Sequence, residues 1–292
     1  MTATKQAIWF PIAILITAML SIQSGALLAK SLFPVIGAHG VTALRLSIAS
    51  VMLAVVFKPW RIKLRGVDKK PLLIYGLSLG GMNFLFYQSL NTVPLGVAVA
   101  LEFTGPLAVA MFSARRPIDF LWVLLVIVGL YHLLPLGNAQ DADLLGCLYA
   151  LGAGVCWAIY IIFGQKAGHM HGPSAVAVGS LIGAIIFFPV GFVGNGLALF
   201  DSAILPTAIA VAVMSTAVPY TLEMMALTRL PTKTFGTLMS LEPAIAAMLG
   251  MVFLQEYLHF SQWLALLAVI CASAGAALTI QPKPIKKPAK PT

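Results

Sequence analysis

Long stretches without a charged side chain are the feature that most limits what this chain can fold into. The first occupies residues 6–29, between Lys5 and Lys30, with the sequence QAIWFPIAILITAMLSIQSGALLA. It exceeds the roughly 7–15 apolar residues of a cleavable signal sequence and reaches the about 20 that cross a bilayer as a helix. Similar stretches follow along the chain, which is 60% hydrophobic and 9% charged, against about 25% charged in soluble domains. Because these stretches do not alternate as barrel strands would, we expect an all-α protein that spans a membrane many times.

The spacing of glycines, prolines and charged residues predicts ten transmembrane helices. They are expected over residues 8–28, 41–58, 71–90, 94–113, 119–136, 144–163, 174–194, 203–226, 234–254 and 261–280.

Lysines and arginines are distributed unevenly between the two sides of this arrangement. Of the 18 basic residues, all except Lys30 in a loop on the opposite side and Arg45 inside a helix fall on one side. Positive charge collects on the cytoplasmic side of membrane proteins, so both termini are expected in the cytoplasm. The net charge of +9 therefore comes from loops and the tail, and we expect no nucleic-acid binding. The sequence leaves open whether the basic tail contacts anionic lipid or is simply solvated.

An internal repeat divides the chain. The segment LNTVPLGVAVALEFTGPLAVAM (90–111) aligns without a gap to LTRLPTKTFGTLMSLEPAIAAM (227–248), and both carry prolines twelve residues apart. We expect a first five-helix repeat over 1–137, a second over 138–281 and a basic tail over 282–292. Five helices are an odd number, so the second repeat is inverted, as in many secondary transporters that bind substrate between their halves. Pro106 and Pro243 should kink the fourth and ninth helices.

Two carboxyl groups lie at bilayer depth. Glu102 and Glu242 fall within the fourth and ninth predicted helices. A lone charge there is costly, so each group must be protonated, be paired or face a water-filled cavity. A role in carrying protons or binding a substrate is one reading, and a structural hydrogen bond that holds two helices together is the other.

Further polar and aromatic residues lie within other predicted helices. Arg45 and Glu223 lie nearer helix ends, where they are expected either to pair with each other or with Glu102, or to bind a substrate; Arg45 can hold a carboxylate through two hydrogen bonds. The remaining candidates for substrate binding are Gln23 and Ser24 on the first helix, Asn83 and Tyr87 on the third, and Trp157 and Tyr160 on the sixth.

Two other functional classes deserve comparison. The segment GLSLG (76–80) matches the GxSxG pattern of serine hydrolases, which makes an intramembrane hydrolase based on Ser78 the enzyme alternative. That pattern requires a strand–turn–helix that an all-helical chain lacks, so no enzyme activity is expected. A scaffold or receptor without transport is the third class. The three cysteines have no disulfide or zinc spacing, and neither a cofactor nor a metal is expected.

Four segments carry a resemblance to a known family. They are KSLFPVIGAHGVTALRL (30–46), LGGMNFLFYQSLNTVPLGVAVALEFTGPLAVA (79–110), SARRPIDF (113–120) and LTRLPTKTFGTLMSLEPAIAA (227–247). The chain resembles the EamA branch of the drug/metabolite transporter superfamily and, within it, the threonine and homoserine exporters of the bacterial inner membrane. Many members end the fourth helix of each half with Gly-Glu, whereas here only Glu256 in the second half remains. Glu242 before Pro243 fits the Glu-Pro pattern of the family.

The resemblance implies a transporter that exports threonine, homoserine or similar small amino acids by proton antiport. Other amino acids, drugs or metabolites are the alternative substrates. We expect a central cavity between helices 1, 3, 4, 6, 8 and 9, with Glu102 or Glu242 as the proton-coupling group. The expected partners are the amino-acid substrate, protons and membrane lipids, and the expected oligomeric state is a monomer or weak homodimer.

Overall fold

The computed structural model describes residues 2–61, 69–112, 117–133, 143–171, 174–227 and 238–279. These ranges are mostly helical and contain no strand, which confirms the predicted all-α class. The α-helices are α1 (Thr2–Phe57), α2 (Lys69–Ser89), α3 (Leu95–Glu102), α4 (Thr104–Phe112), α5 (Pro117–Leu133), α6 (Leu144–His171), α7 (Ser174–Asn195), α8 (Leu205–Ala212), α9 (Val218–Leu227), α10 (Glu242–Phe253) and α11 (Phe260–Thr279).

The described helices are apolar enough for a membrane environment. By length and composition, 4 helical stretches can cross a bilayer: Ile12–Phe57, Leu144–Gly168, Ser174–Phe200 and Leu205–Glu223. Shorter apolar helices cover Leu95–Val109, Phe120–Gly129, Glu242–Phe253 and Phe260–Gly275. Helices suit lipid because they satisfy their own backbone hydrogen bonds.

Helix α1 contains the first two predicted helices. Its helical dihedrals are broken at Gly37, where φ is 63° and ψ is 168°, a conformation that glycine alone adopts readily. The prediction of a loop over residues 29–40 is therefore wrong, because the chain stays helical on both sides of Gly37. Lys30, taken as a loop residue, lies within α1. Its ammonium group is paired with Glu256, with Nζ 2.6 Å from Oε1, so the charge does not end the helix.

Prolines interrupt both helices that carry the buried glutamates. Pro106 has no N–H to donate to the carbonyl of Glu102, and the helix is broken at Phe103 between α3 and α4. Pro243 likewise leaves the carbonyl of Met239 without its usual donor, and a turn at 240–241 precedes α10. Glu102 therefore ends one helix and Glu242 begins another, while the predicted kinks stay predictions. Residues 228–237, which the ninth predicted helix includes, lie outside the described ranges.

A third proline shapes the segment between α8 and α9. Residues Val213–Ala217 form a π turn just before Pro219. Pro219 cannot donate to the carbonyl of Ser215 four residues back, nor to that of Met214 five residues back. Both carbonyls are used by other parts of the chain: Ser21 Oγ donates to Met214 O at 2.8 Å, and Arg45 donates to Ser215 O.

The helices pack closely around a common centre. α2 packs against α6, α1 packs against α7 and the α8–α9 segment, α3 packs against α10, and α5 packs against α11. Glycines permit the closest crossings. A Cβ on Gly105 would collide with the carbonyl of Gly154, so α4 and α6 approach at the level of their backbones.

Candidate functional site

A cavity lies where α1, α2, α3, α6, α9 and α10 meet. It offers about 50 Å³ to the centres of water-sized molecules, enough for several waters. It is lined by Ile22, Gln23, Ala26, Arg45, Met82, Asn83, Phe86, Tyr87, Glu102, Trp157, Tyr160, Tyr220, Glu223 and Glu242.

The structure brings together every predicted site residue except Ser24. Ser24 is half-buried on α1 beside Gln23 but does not line the cavity. The helices around the cavity are those predicted, with the addition of the second part of α1 through Arg45. Sequence reasoning missed Tyr220, although it follows Asn83 at the repeat offset of 137 residues and that offset would have pointed to it. The apolar residues Ile22, Ala26, Met82 and Phe86 carried no comparable signal.

Gln23 and Glu242 form a buried polar pair across α1 and α10. The amide nitrogen Nε2 of Gln23 donates to Oε1 of Glu242 at 3.0 Å. The two residues are 3% and 4% exposed. Their other oxygens, Gln23 Oε1 and Glu242 Oε2, are buried and have no hydrogen-bond partner among the described residues. The pair therefore presents two unused acceptors.

Arg45 is held by the π turn. Its Nε donates to Thr216 Oγ1 at 2.8 Å, its Nη2 donates to Ser215 O at 2.6 Å, and its Cζ lies 4.8 Å from the centre of the Tyr87 ring. The ion pair with Glu102 or Glu223 that the sequence left open is not formed. Within the described residues, no carboxylate oxygen lies within 4.0 Å of an Arg45 nitrogen. The freed carbonyl of Ser215 takes the place of a carboxylate.

Aromatic and amide groups complete the walls. Asn83 Nδ2 donates to Leu79 O at 2.7 Å and to the hydroxyl of Tyr220 at 3.3 Å. The Tyr160 ring stacks on Tyr75 with centroids 4.9 Å apart, and Trp157 packs edge-on against Phe103 at 5.5 Å. These contacts fix the rings that border the cavity.

The arrangement suits binding rather than bond-breaking chemistry. Among the described residues, no group of three or more His, Cys, Asp or Glu is placed to hold a metal ion. Ser78 lies inside α2, where its hydroxyl donates to Tyr75 O at 2.9 Å, rather than on the sharp turn that a hydrolase nucleophile needs. What the cavity offers is a buried guanidinium, three carboxyl groups and several apolar walls.

Comparisons with known proteins identify related transporters. The model of the EamA-like transporter family matches residues 144–278. The chain is 63% identical over 281 residues to the threonine/homoserine exporter RhtA of Salmonella typhimurium (strain LT2), covering 96% of this chain and 95% of that protein. It is 61% identical over 278 residues to the exporter of the same name from Escherichia coli (strain K12), covering 95% and 94%.

More distant similarities extend to other transporters and to a solved fold. The uncharacterized transporter YwfM of Bacillus subtilis is 29% identical over 155 residues, which is 52% of each chain. A solved crystal structure superposes with a TM-score of 0.62 at 18% identity, covering 92% of this chain and 97% of that one, and supports the fold alone. Because two relatives above 60% identity span nearly the full chain, we conclude that the chain belongs to the EamA-like transporter family and is a membrane transporter rather than an enzyme.

Proposed function

We propose that this protein exports threonine, homoserine or similar small amino acids across the bacterial inner membrane by proton antiport. The observation that carries the proposal is the cavity in which Glu102, Glu242 and Arg45 are buried together. The names of the nearly full-length relatives support the substrate class. Other amino acids, drugs or metabolites are the alternative substrates.

The cavity has the properties that a small zwitterion requires. An amino acid carries an ammonium and a carboxylate, and it leaves water only where groups of opposite charge replace its hydration. Glu102, Glu223 and Glu242 offer negative charge, and Arg45 offers positive charge. The apolar side chains of Ile22, Met82 and Phe86 face a short side chain, and the limited space favours small substrates.

Proton coupling is assigned to Glu102 or Glu242. The substrate ammonium and a proton compete for the same carboxylate, so the release of one accompanies the uptake of the other. Protonation then changes which side of the membrane the cavity prefers to face. Both residues lie at helix interruptions, Glu102 four residues before Pro106 and Glu242 directly before Pro243, and transporters of other folds place their ion and substrate sites at such interruptions.

The architecture proposed for this cycle is ten transmembrane helices in two inverted halves, 1–137 and 138–281. The packing supports it: α2 contacts α6, while the α8–α9 segment contacts α1, and these two contacts are equivalent once the halves are exchanged. Asn83 and Tyr220, which bond to each other, occupy equivalent positions at the offset of 137. The family match over 144–278 falls within the second half. Both termini are assigned to the cytoplasm, and the protein is taken as a monomer or weak homodimer.

Transport by purified protein in liposomes tests the function. Wild-type proteoliposomes loaded with unlabelled threonine should accumulate labelled threonine by counterflow, and a panel of amino acids ranks the substrates. An imposed pH gradient should drive net flux. If neither threonine nor homoserine shows counterflow while another solute does, the substrate belongs to the alternative class.

The variant Glu102→Gln tests the coupling. It keeps the shape of the side chain but cannot exchange a proton, so we expect normal membrane insertion and loss of flux driven by the pH gradient. Asp201→Asn is the matched control, because Asp201 is exposed and only caps the backbone at Ala203, with Oδ1 2.9 Å from its N. Normal pH-driven flux in Glu102→Gln would remove Glu102 from the mechanism.

A further inference from the structure

Two acceptor oxygens of the Gln23–Glu242 pair have no donor among the described residues. Gln23 and Glu242 line the same cavity, and their remaining oxygens, Gln23 Oε1 and Glu242 Oε2, have no partner among the described residues. Buried polar atoms in folded proteins nearly always have a hydrogen-bond partner. An alkylammonium carries three N–H donors and a positive charge, so it can satisfy both oxygens and one negative charge together.

Arg45 offers donors and a positive charge, whereas the Gln23–Glu242 pair offers acceptors. Its hydrogen bonds to Thr216 and Ser215 use Nε and Nη2, and the hydrogens of Nη1 are not used by any described residue. The Tyr87 ring covers one face of the guanidinium at 4.8 Å. The group is thus fixed in orientation, with donors left for an anion, and a carboxylate matches a guanidinium best.

We propose that the substrate binds in one orientation, with its ammonium on Gln23 Oε1 and Glu242 Oε2 and its carboxylate on Arg45. This inference rests on the proposed function, because it assumes an amino-acid substrate. It gives Glu242 the role of ammonium ligand. Thr216 becomes a positioning residue, since it acts on the substrate only by orienting Arg45.

Close analogues of threonine test the binding of the ammonium group and of the carboxylate group separately. Threoninol keeps the ammonium and lacks the carboxylate, whereas 2,3-dihydroxybutanoate keeps the carboxylate and lacks the ammonium. Displacement of labelled threonine from purified full-length protein measures the affinity for each compound without any proton gradient. Gln23→Leu and Thr216→Val remove polar groups with little change of size.

The two variants should show opposite preferences. Gln23→Leu should weaken threonine and threoninol about tenfold and change 2,3-dihydroxybutanoate little, because one hydrogen bond to a charged group is lost. Thr216→Val should weaken threonine and 2,3-dihydroxybutanoate and change threoninol little, and Thr216→Ser should restore wild-type affinities. The control Thr42→Val removes a buried hydroxyl that donates only to Ala38 O within α1, and it should change none of the three.

The comparison of compounds within one variant distinguishes binding from misfolding. A loss of active protein lowers the amount bound but leaves the ratio of affinities unchanged. Variants that weaken all three compounds equally, or none of them, would overturn the orientation. Binding of threonine in the predicted pattern without pH-driven transport would instead overturn the proposed function and leave the orientation standing. Wild-type protein that binds none of the three compounds would overturn both.

Discussion

The buried polar residues of the cavity satisfy one another only in part. Gln23 and Glu242 share a single hydrogen bond, and Arg45 is oriented by a carbonyl, a hydroxyl and an aromatic ring rather than by an opposite charge. Groups fixed in this way need little reorganisation when a ligand of matching charge arrives. The site is therefore prepared for a ligand at the cost of leaving acceptors unpaired.

The variant Glu242→Gln separates binding from a structural role. The amide has almost the same size and can still pair with Gln23, but it no longer attracts a cation. We expect the affinity for threonine to fall about tenfold, with a thermal unfolding temperature close to that of the wild type. Displacement binding and thermal unfolding of the purified variant measure the two quantities. Unchanged flux with a lower unfolding temperature would instead favour a group that only holds two helices together.

At the scale of single residues, the sequence predicted which charged side chains are buried better than it predicted their hydrogen-bond partners. Glu102, Glu242 and Arg45 could be recognised because each interrupts an apolar stretch, and burial of a charge in lipid needs a reason. One of the two hydrogen-bond partners of Arg45 could not be predicted, because it is a backbone carbonyl that Pro219 leaves free. Backbone acceptors look alike in every sequence until a neighbouring residue removes their donor.

At the level of helices, prolines interrupt elements that carry polar residues of the cavity or their partners. Pro106, Pro219 and Pro243 each remove a backbone donor, and the resulting interruptions lie at Glu102, at the π turn and at Glu242. The interruptions near Pro106 and at Pro243 were predictable from proline chemistry. The π turn was not, because a missing donor does not determine how the surrounding helix adjusts. A loop over residues 29–40 was predicted instead of a single break at Gly37 for a related reason: a glycine can either bend a helix or end it, and the choice depends on tertiary packing.

The variant Pro219→Ala tests the role of the π turn. Alanine restores an N–H that competes for the carbonyls of Ser215 and Met214 and favours a regular helix. Arg45 should then lose its anchor, and the affinity for threonine should fall about tenfold while thermal stability stays equal or rises. Pro206→Ala is the control, since Pro206 lies in the first turn of α8, where no donor is needed. A variant that keeps its affinity, or loses stability and affinity together, would argue against positioning by the π turn.

At the scale of the whole molecule, an ion pair outside the cavity connects α1, the start of α3 and the segment that follows α10. Glu256 accepts from Lys30 Nζ at 2.6 Å and from the backbone N of Leu95, the first residue of α3, at 2.7 Å. Lys30 follows Gln23 by seven residues and Leu95 precedes Glu102 by seven, so the ion pair lies about 10 Å along each helix from the cavity. The predicted orientation assigned Lys30 and Glu256 to the same, extracytoplasmic side. The contact itself was not predictable, because it joins residues 226 positions apart through their packing alone.

Under the proposed function and the predicted orientation, the transporter opens this end of the molecule to release its substrate, and opening requires the ion pair to separate. Lys30→Met keeps the aliphatic part of the side chain and removes the charge, so the closed arrangement should lose about 1 kcal/mol and the outward-open fraction should rise about fivefold. In a background without the three native cysteines, Ala26→Cys provides a label in the cavity, and a membrane-impermeant thiol reagent added outside intact cells reports the open fraction. Lys166→Met is the control, since Lys166 is exposed on α6 and lies over the Phe163 ring, and it should not change the labelling rate. Equal labelling rates in Lys30→Met and its parent would mean that the ion pair does not hold this end closed. Glu256 would then hold it only through its hydrogen bond to the backbone of Leu95, and Glu256→Gln should raise the labelling rate where Lys30→Met does not.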